Sequence, residues 1–207
     1  MDNPKAALIE AAGKLFSQKG YYGTTIRDIA QERGIRSGSL YAHIESKEDL
    51  LYEIVDLASQ AFIDALEPIV SGSMPPQKKL VQGLAAHIRV ISTHLETSRV
   101  FLHEWLLLTG PRRRTIEDRR NHYEALWTAL LKEGIEQGAF ASVSLRFARL
   151  VILSVANWVY LWYDPTGPMN PEQIAEEFGQ LILYGLVGPA ASSPSSAGMP
   201  RTLSLPS

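Results

Sequence analysis

Five histidines are the side chains of this 207-residue sequence best suited to bind a metal or move a proton near neutral pH. Their neighbours do not build such a site. His87 and His94 stand seven residues apart, on one face of any helix, with no carboxylate three or four residues away. His103-Glu104 lacks the second histidine that a zinc-binding helix requires. The chain has no cysteine, which removes disulfides, thiolate metal sites and cysteine nucleophiles together and fits a reducing compartment. Neither a glycine-rich phosphate loop nor a Gly-x-Ser-x-Gly elbow occurs. The expectation is therefore no catalytic residues, no metal and no cofactor. The residues that do suggest chemistry are small ones: Ser37-Gly38-Ser39 opens a short helical segment where a backbone can come close to a phosphate or a base edge. Leu40 follows as an inward position, and Tyr41 and His43 as outward ones.

Elements of helical period position these residues, and no strand-type alternation is sustained anywhere, so the predicted fold class is all-α with about nine helices. A first helix is expected from Pro4 to Gln18, ended by Gly20 in a left-handed cap. Thr25 with Asp28, and Ser46 with Asp49, have the spacing of capping boxes that open a second and a fourth helix. Between them Gly34 makes a turn and Ser37 is expected to cap a third helix of about two turns. Two short helices around a glycine turn, braced by a first, outline a helix-turn-helix head. The fourth helix is expected to fade at Pro68–Gly72. Others follow from Pro75-Pro76, over Ser98–Thr109, Arg114–Gln137, Ser144–Tyr163 and Pro171–Leu186. The predicted division is a head at 1–47, a helical body at 48–188, and a Ser/Pro/Ala-rich disordered tail at 189–207.

With 45% hydrophobic residues the chain can build a core, and its net charge of −2 rules out a surface that binds nucleic acid broadly. Residues 1–50 hold seven Lys/Arg and seven Asp/Glu, so any nucleic-acid site must be local and is not announced by charge. The N-terminus has no signal-peptide character and no stretch reaches ~20 uncharged apolar residues, so a cytoplasmic protein with no membrane partner is expected.

The run Ala11-Ala12-x-x-Leu15-Phe16, Gly20-Tyr21-x-Gly23-Thr24-Thr25-Ile26-x-Asp28-Ile29-Ala30, Gly34-Ile35-x-Ser37-Gly38-Ser39-Leu40-Tyr41-x-His43-Ile44-x-Ser46-Lys47-Glu48-x-Leu50 resembles the tetracycline-repressor-like (TetR) regulators across residues 8–51. Ile44 departs from that pattern, where Phe is usual, and so does Arg33, where a small residue is commoner. The resemblance implies a homodimeric repressor that binds a pseudo-palindromic double-stranded DNA operator and is released by a small-molecule effector. It implies that Thr24, Thr25 and Arg27 face phosphates, that Arg36, Ser37, Gly38 and Ser39 sit at the major groove, and that Tyr41, His43 and Lys47 contact the DNA backbone. Read from residue type alone, the lesser alternatives are that Tyr41 is a core aromatic, His43 a surface histidine with no role and Lys47 a bystander to the cap.

In the body, Asn157-Trp158-x-x-x-Trp162-Tyr163-Asp164-Pro165-x-Gly167-Pro168 and the following Pro171-Glu172-x-Ile174-Ala175, together with Phe101-Leu102-His103-Glu104-Trp105 and the arginines of 112–120, look like the branch of that family that senses acyl-coenzyme A thioesters from lipid, sterol or aromatic-acid breakdown. The expected ligand residues are Trp105, Trp158 and Trp162 along an acyl channel, Asn157 at a thioester or amide, and Arg112, Arg113, Arg114 and Arg149 at phosphates. The bland readings are core tryptophans and a solvated arginine-rich helix start. A sensor of a hydrophobic drug-like compound, or more distantly a helical enzyme or carrier, is the alternative. The dimer is expected to form through 144–163 and 171–186, because Val151, Val155, Ile174, Phe178, Leu181, Ile182 and Leu186 exceed one buried stripe.

Overall fold

A computed structural model describes residues 4–184, and all of its regular structure is helical. The expected tail at 189–207 and Leu186 lie outside the described residues. The head comprises α1 (Pro4–Lys19), α2 (Ile26–Glu32) and α3 (Ser37–Leu40). Gly20 ends α1 at φ 74°, its N–H donating to the Phe16 carbonyl at 2.9 Å, the left-handed turn that a glycine makes without Cβ strain. Both capping boxes form: Thr25 with Asp28 opens α2, and Ser46 with Asp49 opens α4 (Lys47–Ser71). The third helix departs from expectation. It is a single turn capped by Arg36 rather than Ser37, and no side chain caps it. Leu8, Phe16, Ile29, Leu40 and Leu50 close the head's core.

The body continues with α5 (Pro76–Thr93), α6 (Leu95–Glu104), a 3-10 turn at Trp105–Leu107, α7 (Gly110–Glu136), α8 (Leu145–Trp162) and α9 (Pro171–Tyr184). α4 ends at Ser71, within the expected Pro68–Gly72, whereas two starts differ from those expected: α6 begins at Leu95, and α7 opens at Gly110, so that Arg112, Arg113 and Arg114 lie within its first turns. α4 and α5 are the central pair: α4 packs on α1, α5, α6 and α7, and α5 packs on α7, α8 and α9. Trp127 of α7 is fully buried and lies against Gly83 of α5, where an added Cβ would come within 2.9 Å of the indole.

α8 is long and apolar enough to cross a membrane by length and composition alone. Its inner face, Ile152, Ala156 and Val159, is buried. Its outer face shows Phe147, Leu150, Val151, Trp158, Leu161 and Trp162, all exposed, at the spacing of one helical stripe. Leu181 and Tyr184 on α9 are exposed as well.

Candidate functional site

The two capping boxes fix where the head's side chains point. Asp28 accepts from both the backbone N–H and the hydroxyl of Thr25, each at 2.7 Å, and those bonds hold its carboxyl below the usual range. α2 is thereby anchored, and Arg27 leaves it into solvent. Arg27, Arg33 and Arg36 are exposed and make no ion pair among the described residues, whereas Lys14 is paired with Glu32. Gly38 and Ser39 are exposed with Ser37 half-buried beside them, and no atom lies within 4 Å of where a Gly38 Cβ would be. Nothing inside the protein requires a glycine there. Tyr41 is 57% exposed, so it is not a core aromatic, and His43 is exposed next to it.

Thr24 is a correction. Its side chain is completely buried, and its hydroxyl donates to the carbonyls of Gly20 (2.9 Å) and Leu15 (3.2 Å), so it closes the α1–α2 corner and cannot face a phosphate. Lys47 is likewise engaged within the head: its ammonium donates to the Tyr21 carbonyl (2.8 Å) and the Thr24 carbonyl (2.9 Å) and lies 4.1 Å from the Tyr21 ring centroid. Two of its three hydrogens are taken, and one is left for an outside acceptor.

Three of the four arginines expected at a ligand are occupied elsewhere. Arg112 forms an ion pair with Asp49, the carboxylate that caps α4, and sits over Tyr52. Beside it Glu48 accepts from the Thr109 N–H (2.9 Å) and hydroxyl (3.0 Å), so the start of α7 is latched to the start of α4. Arg113 donates to Glu117 (2.7 Å) and the Leu106 carbonyl (2.6 Å). Arg149 bridges Glu124 (3.0 Å) and the Thr128 hydroxyl (2.9 Å), tying α8 to α7. Arg114 is exposed. Trp158 and Trp162 are 57% and 46% exposed on the outer stripe of α8, so they do not wall an interior channel of this chain.

A small interior cleft does exist, bounded by α4 through α8, with a cavity of about 30 Å³ that opens to solvent on one side. Phe62, Phe101, Leu102 and Leu153 give it apolar walls, and Ser59, His87, Arg119, Arg120, Tyr123, Glu124 and Asn157 give it polar ones. Of the expected ligand residues only Asn157 lines it. Trp105 stands at its edge, between the guanidinium groups of Arg113 and Arg120, each 4.5 Å from its ring centroid. Arg120 also lies 5.5 Å from the Phe101 centroid and forms no salt bridge among the described residues. Burial pushes its pKa down, while Glu124, the nearest carboxylate influence, is held by Arg149.

His87 is 3% exposed. Its Nδ1 is 2.7 Å from the Tyr123 hydroxyl, and its Nε2 has no protein partner. Asn157 is close enough to favour the charged ring without reaching hydrogen-bond geometry, and burial outweighs it, taking the pKa down to about 3. His87, Arg120 and Tyr123 were not among the ligand residues expected from sequence. A signal was present: Arg120 and Tyr123 occupy the stripe Ile116, Arg120, Tyr123, Trp127, Leu130, and His87 the stripe Leu80, Leu84, His87, Ile91, both otherwise core.

Comparison with known proteins agrees with this layout. Residues 8–54 match the family model described as bacterial regulatory proteins, tetR family, and residues 73–186 match the tetracyclin repressor-like C-terminal domain. The HTH-type transcriptional repressor KstR2 of Mycobacterium tuberculosis is 31% identical over 197 residues, covering 90% of this chain and 94% of that protein. The structure of PfmR from Thermus thermophilus, a TetR family regulator, superposes with TM-score 0.80 at 34% identity, covering 87% of this chain and 98% of that one. AibR, solved in complex with isovaleryl coenzyme A and operator DNA, superposes with TM-score 0.79 at 26% identity, covering 87% of this chain and 98% of that one. A capped helix-turn-helix head, a helical body with an interior cleft, and family matches over both parts lead to one conclusion: the chain belongs to the TetR family of transcriptional regulators, which are DNA-binding proteins and not enzymes.

Proposed function

We propose that this regulator is a dimeric repressor whose operator affinity is lowered by an acyl-coenzyme A thioester held in the body cleft. The observation that carries the effector class is Arg120, a half-buried cation that forms no salt bridge among the described residues, set against Phe101 and Trp105 in a cleft with apolar walls on one side. An apolar compound would fill the cleft and leave that cation unanswered, whereas an amphiphile with an acyl chain and a polar or anionic head uses both. The isovaleryl coenzyme A bound by AibR supports this choice.

The operator side rests on Thr25, Arg27, Arg36, Ser37, Gly38, Ser39, Tyr41, His43 and Lys47, all but Ser37 and Lys47 well exposed. Dimerisation through the outer stripes of α8 and α9 would bury Trp158, Leu161, Trp162 and Leu181. It would set two α3 segments in successive major grooves, about 34–36 Å apart. A boundary between head and body near residue 47 would fall at the start of α4. α4 is where the two sites meet: Phe62 lines the cleft, and Asp49 and Glu48 are latched to α7. By linkage, an effector that weakens DNA binding must itself bind the DNA-bound form more weakly.

The test begins with selection of bound sequences from random DNA. Gel shifts then follow release by isovaleryl-, octanoyl- and cyclohexanecarboxyl-coenzyme A and by the matching free acids. Release by a thioester at concentrations where its free acid is inert is expected. Equal potency of acid and thioester would overturn the coenzyme assignment and favour a sensor of small hydrophobic compounds, and failure to select any sequence would overturn the repressor assignment.

A further inference from the structure

We infer that His87 selects the effector by its oxygen content: its Nε2–H is a buried donor held ready for an uncharged acceptor oxygen, such as a ketone or ester carbonyl, on the part of the ligand that enters the cleft. The inference rests on the cleft being the effector site and is independent of whether the ligand carries coenzyme A.

The tautomer follows from the neighbours. Trp127 is fully buried, its indole N–H has no hydrogen-bond partner, and it stands close enough to the Tyr123 oxygen to favour the phenolate. An indole nitrogen only donates, so it offers the phenol hydrogen no acceptor. Burial nonetheless keeps the phenol protonated far above its usual range, so Tyr123 has one hydrogen to give. The atom within reach is His87 Nδ1, at 2.7 Å. Nδ1 therefore accepts, and the ring's own hydrogen resides on Nε2, buried and without a protein partner. A buried donor lacking an acceptor is costly, and with Asn157 nearby but short of hydrogen-bond geometry, an acceptor arriving in the cleft beside it lowers this cost. A water bridging the site would have to be matched by any ligand that displaces it, which again favours a ligand oxygen over a methylene at this point.

Position points the same way. The His87 ring packs on Phe62 at 4.7 Å between centroids, Phe62 on Phe101 at 5.5 Å, and Arg120 lies over Phe101. A row of two aromatic rings thus separates the neutral donor from the cation. A ligand that opens this cleft and uses both groups has an apolar span over the rings, a neutral oxygen at the His87 end and a charged or strongly polar group at the Arg120 end. Oxo-acyl compounds belong to this class, whereas plain fatty acyl compounds do not.

The experiment uses cyclohexanecarboxylate and 4-oxocyclohexanecarboxylate, each as free acid and as coenzyme A thioester. Calorimetry measures binding to the full-length protein, to His87→Phe and to His87→Gln. In whichever series binds, the oxo compound should bind roughly tenfold tighter than its parent to the wild type. That preference should vanish in H87F and partly survive in H87Q, whose amide can still donate. Long-range ¹H–¹⁵N correlation of the wild-type ring should show the Nε2–H tautomer, which needs no variant to fold. A preference kept in H87F, no preference in the wild type, or the Nδ1–H tautomer would overturn the inference. Thioesters that bind and release DNA without oxo preference would leave the proposed function standing and remove this one. Oxo preference confined to free acids would do the reverse, and binding of none of the four would overturn both.

Discussion

Acidification should destabilise this fold through one ring. Burial holds the folded pKa of His87 down to about 3, against 6.5 for a free imidazole. Because the folded value lies below the unfolded one, the unfolded chain binds the extra proton first. The stability contributed by the neutral ring is fully present above about pH 7, declines as pH falls through 6.5, and stops declining near 3, where the folded ring protonates too. At about pH 5 the unfolded ring is protonated roughly thirtyfold in excess while the folded ring remains neutral, which is worth about 2 kcal/mol relative to pH 8. The measurement is urea unfolding at both pH values for the wild type and His87→Phe, at one protein concentration so that dimerisation does not intrude. The variant loses the hydrogen bond to Tyr123 and gains a ring that can pack on Phe62. Those effects do not depend on pH in this range, since Tyr123 stays protonated, so the quantity to compare is each protein's change with pH. The wild type should lose about 2 kcal/mol more than H87F. Equal losses would refute the assignment of a buried neutral ring.

Three further outcomes test other parts of the molecule. Gly38→Ala should leave stability unchanged or raise it by up to about 1 kcal/mol, because nothing within 4 Å meets the new Cβ, while cutting operator affinity more than about tenfold; unaltered affinity in a gel shift would remove α3 from the DNA. Lys47→Met should cost about 1–2 kcal/mol in urea unfolding by stripping the Tyr21 and Thr24 carbonyls of a charged donor, and should lower the slope of log affinity against log salt by about 0.9. Unchanged stability would refute the tie, and an unchanged slope the phosphate contact. Leu161→Glu, on the outer stripe of α8, should weaken the dimer by on the order of a hundredfold in sedimentation without loss of helix content, because it desolvates an unpaired carboxylate; a dimer of undiminished strength would place the interface elsewhere.

The head was legible because its determinants are local. A capping box needs two residues three apart, and Thr25/Asp28 and Ser46/Asp49 are found as written in the sequence. Gly20 and Gly34 adopt the positive φ that their places between helices suggested. The body was legible as helices and much less as a site, because periodicity gives the relative phase of residues around a helix and not the direction in which the helix is turned. Trp158 and Trp162 do share one face, as four-residue spacing requires, but Ile152, Ala156 and Val159 claim the inner face and turn that pair outward. Neighbouring arginines show the same limit from the other side. Arg119 and Arg120 are about 100° apart on α7, and although both line the cleft, the first bridges to Asp56 on α4 while the second forms no salt bridge among the described residues. The information that separates them is the stripe they interrupt. An arginine between Ile116 and Trp127, or a histidine between Leu84 and Ile91, occupies a position where the helix would ordinarily place an apolar side chain. Such a residue costs stability unless something answers its polar group. Arg112, Arg113 and Arg149 are answered within the protein by Asp49, Glu117 and Glu124. Arg120 and the Nε2 of His87 have no such partner within the described residues, and under the proposed function a ligand supplies that answer.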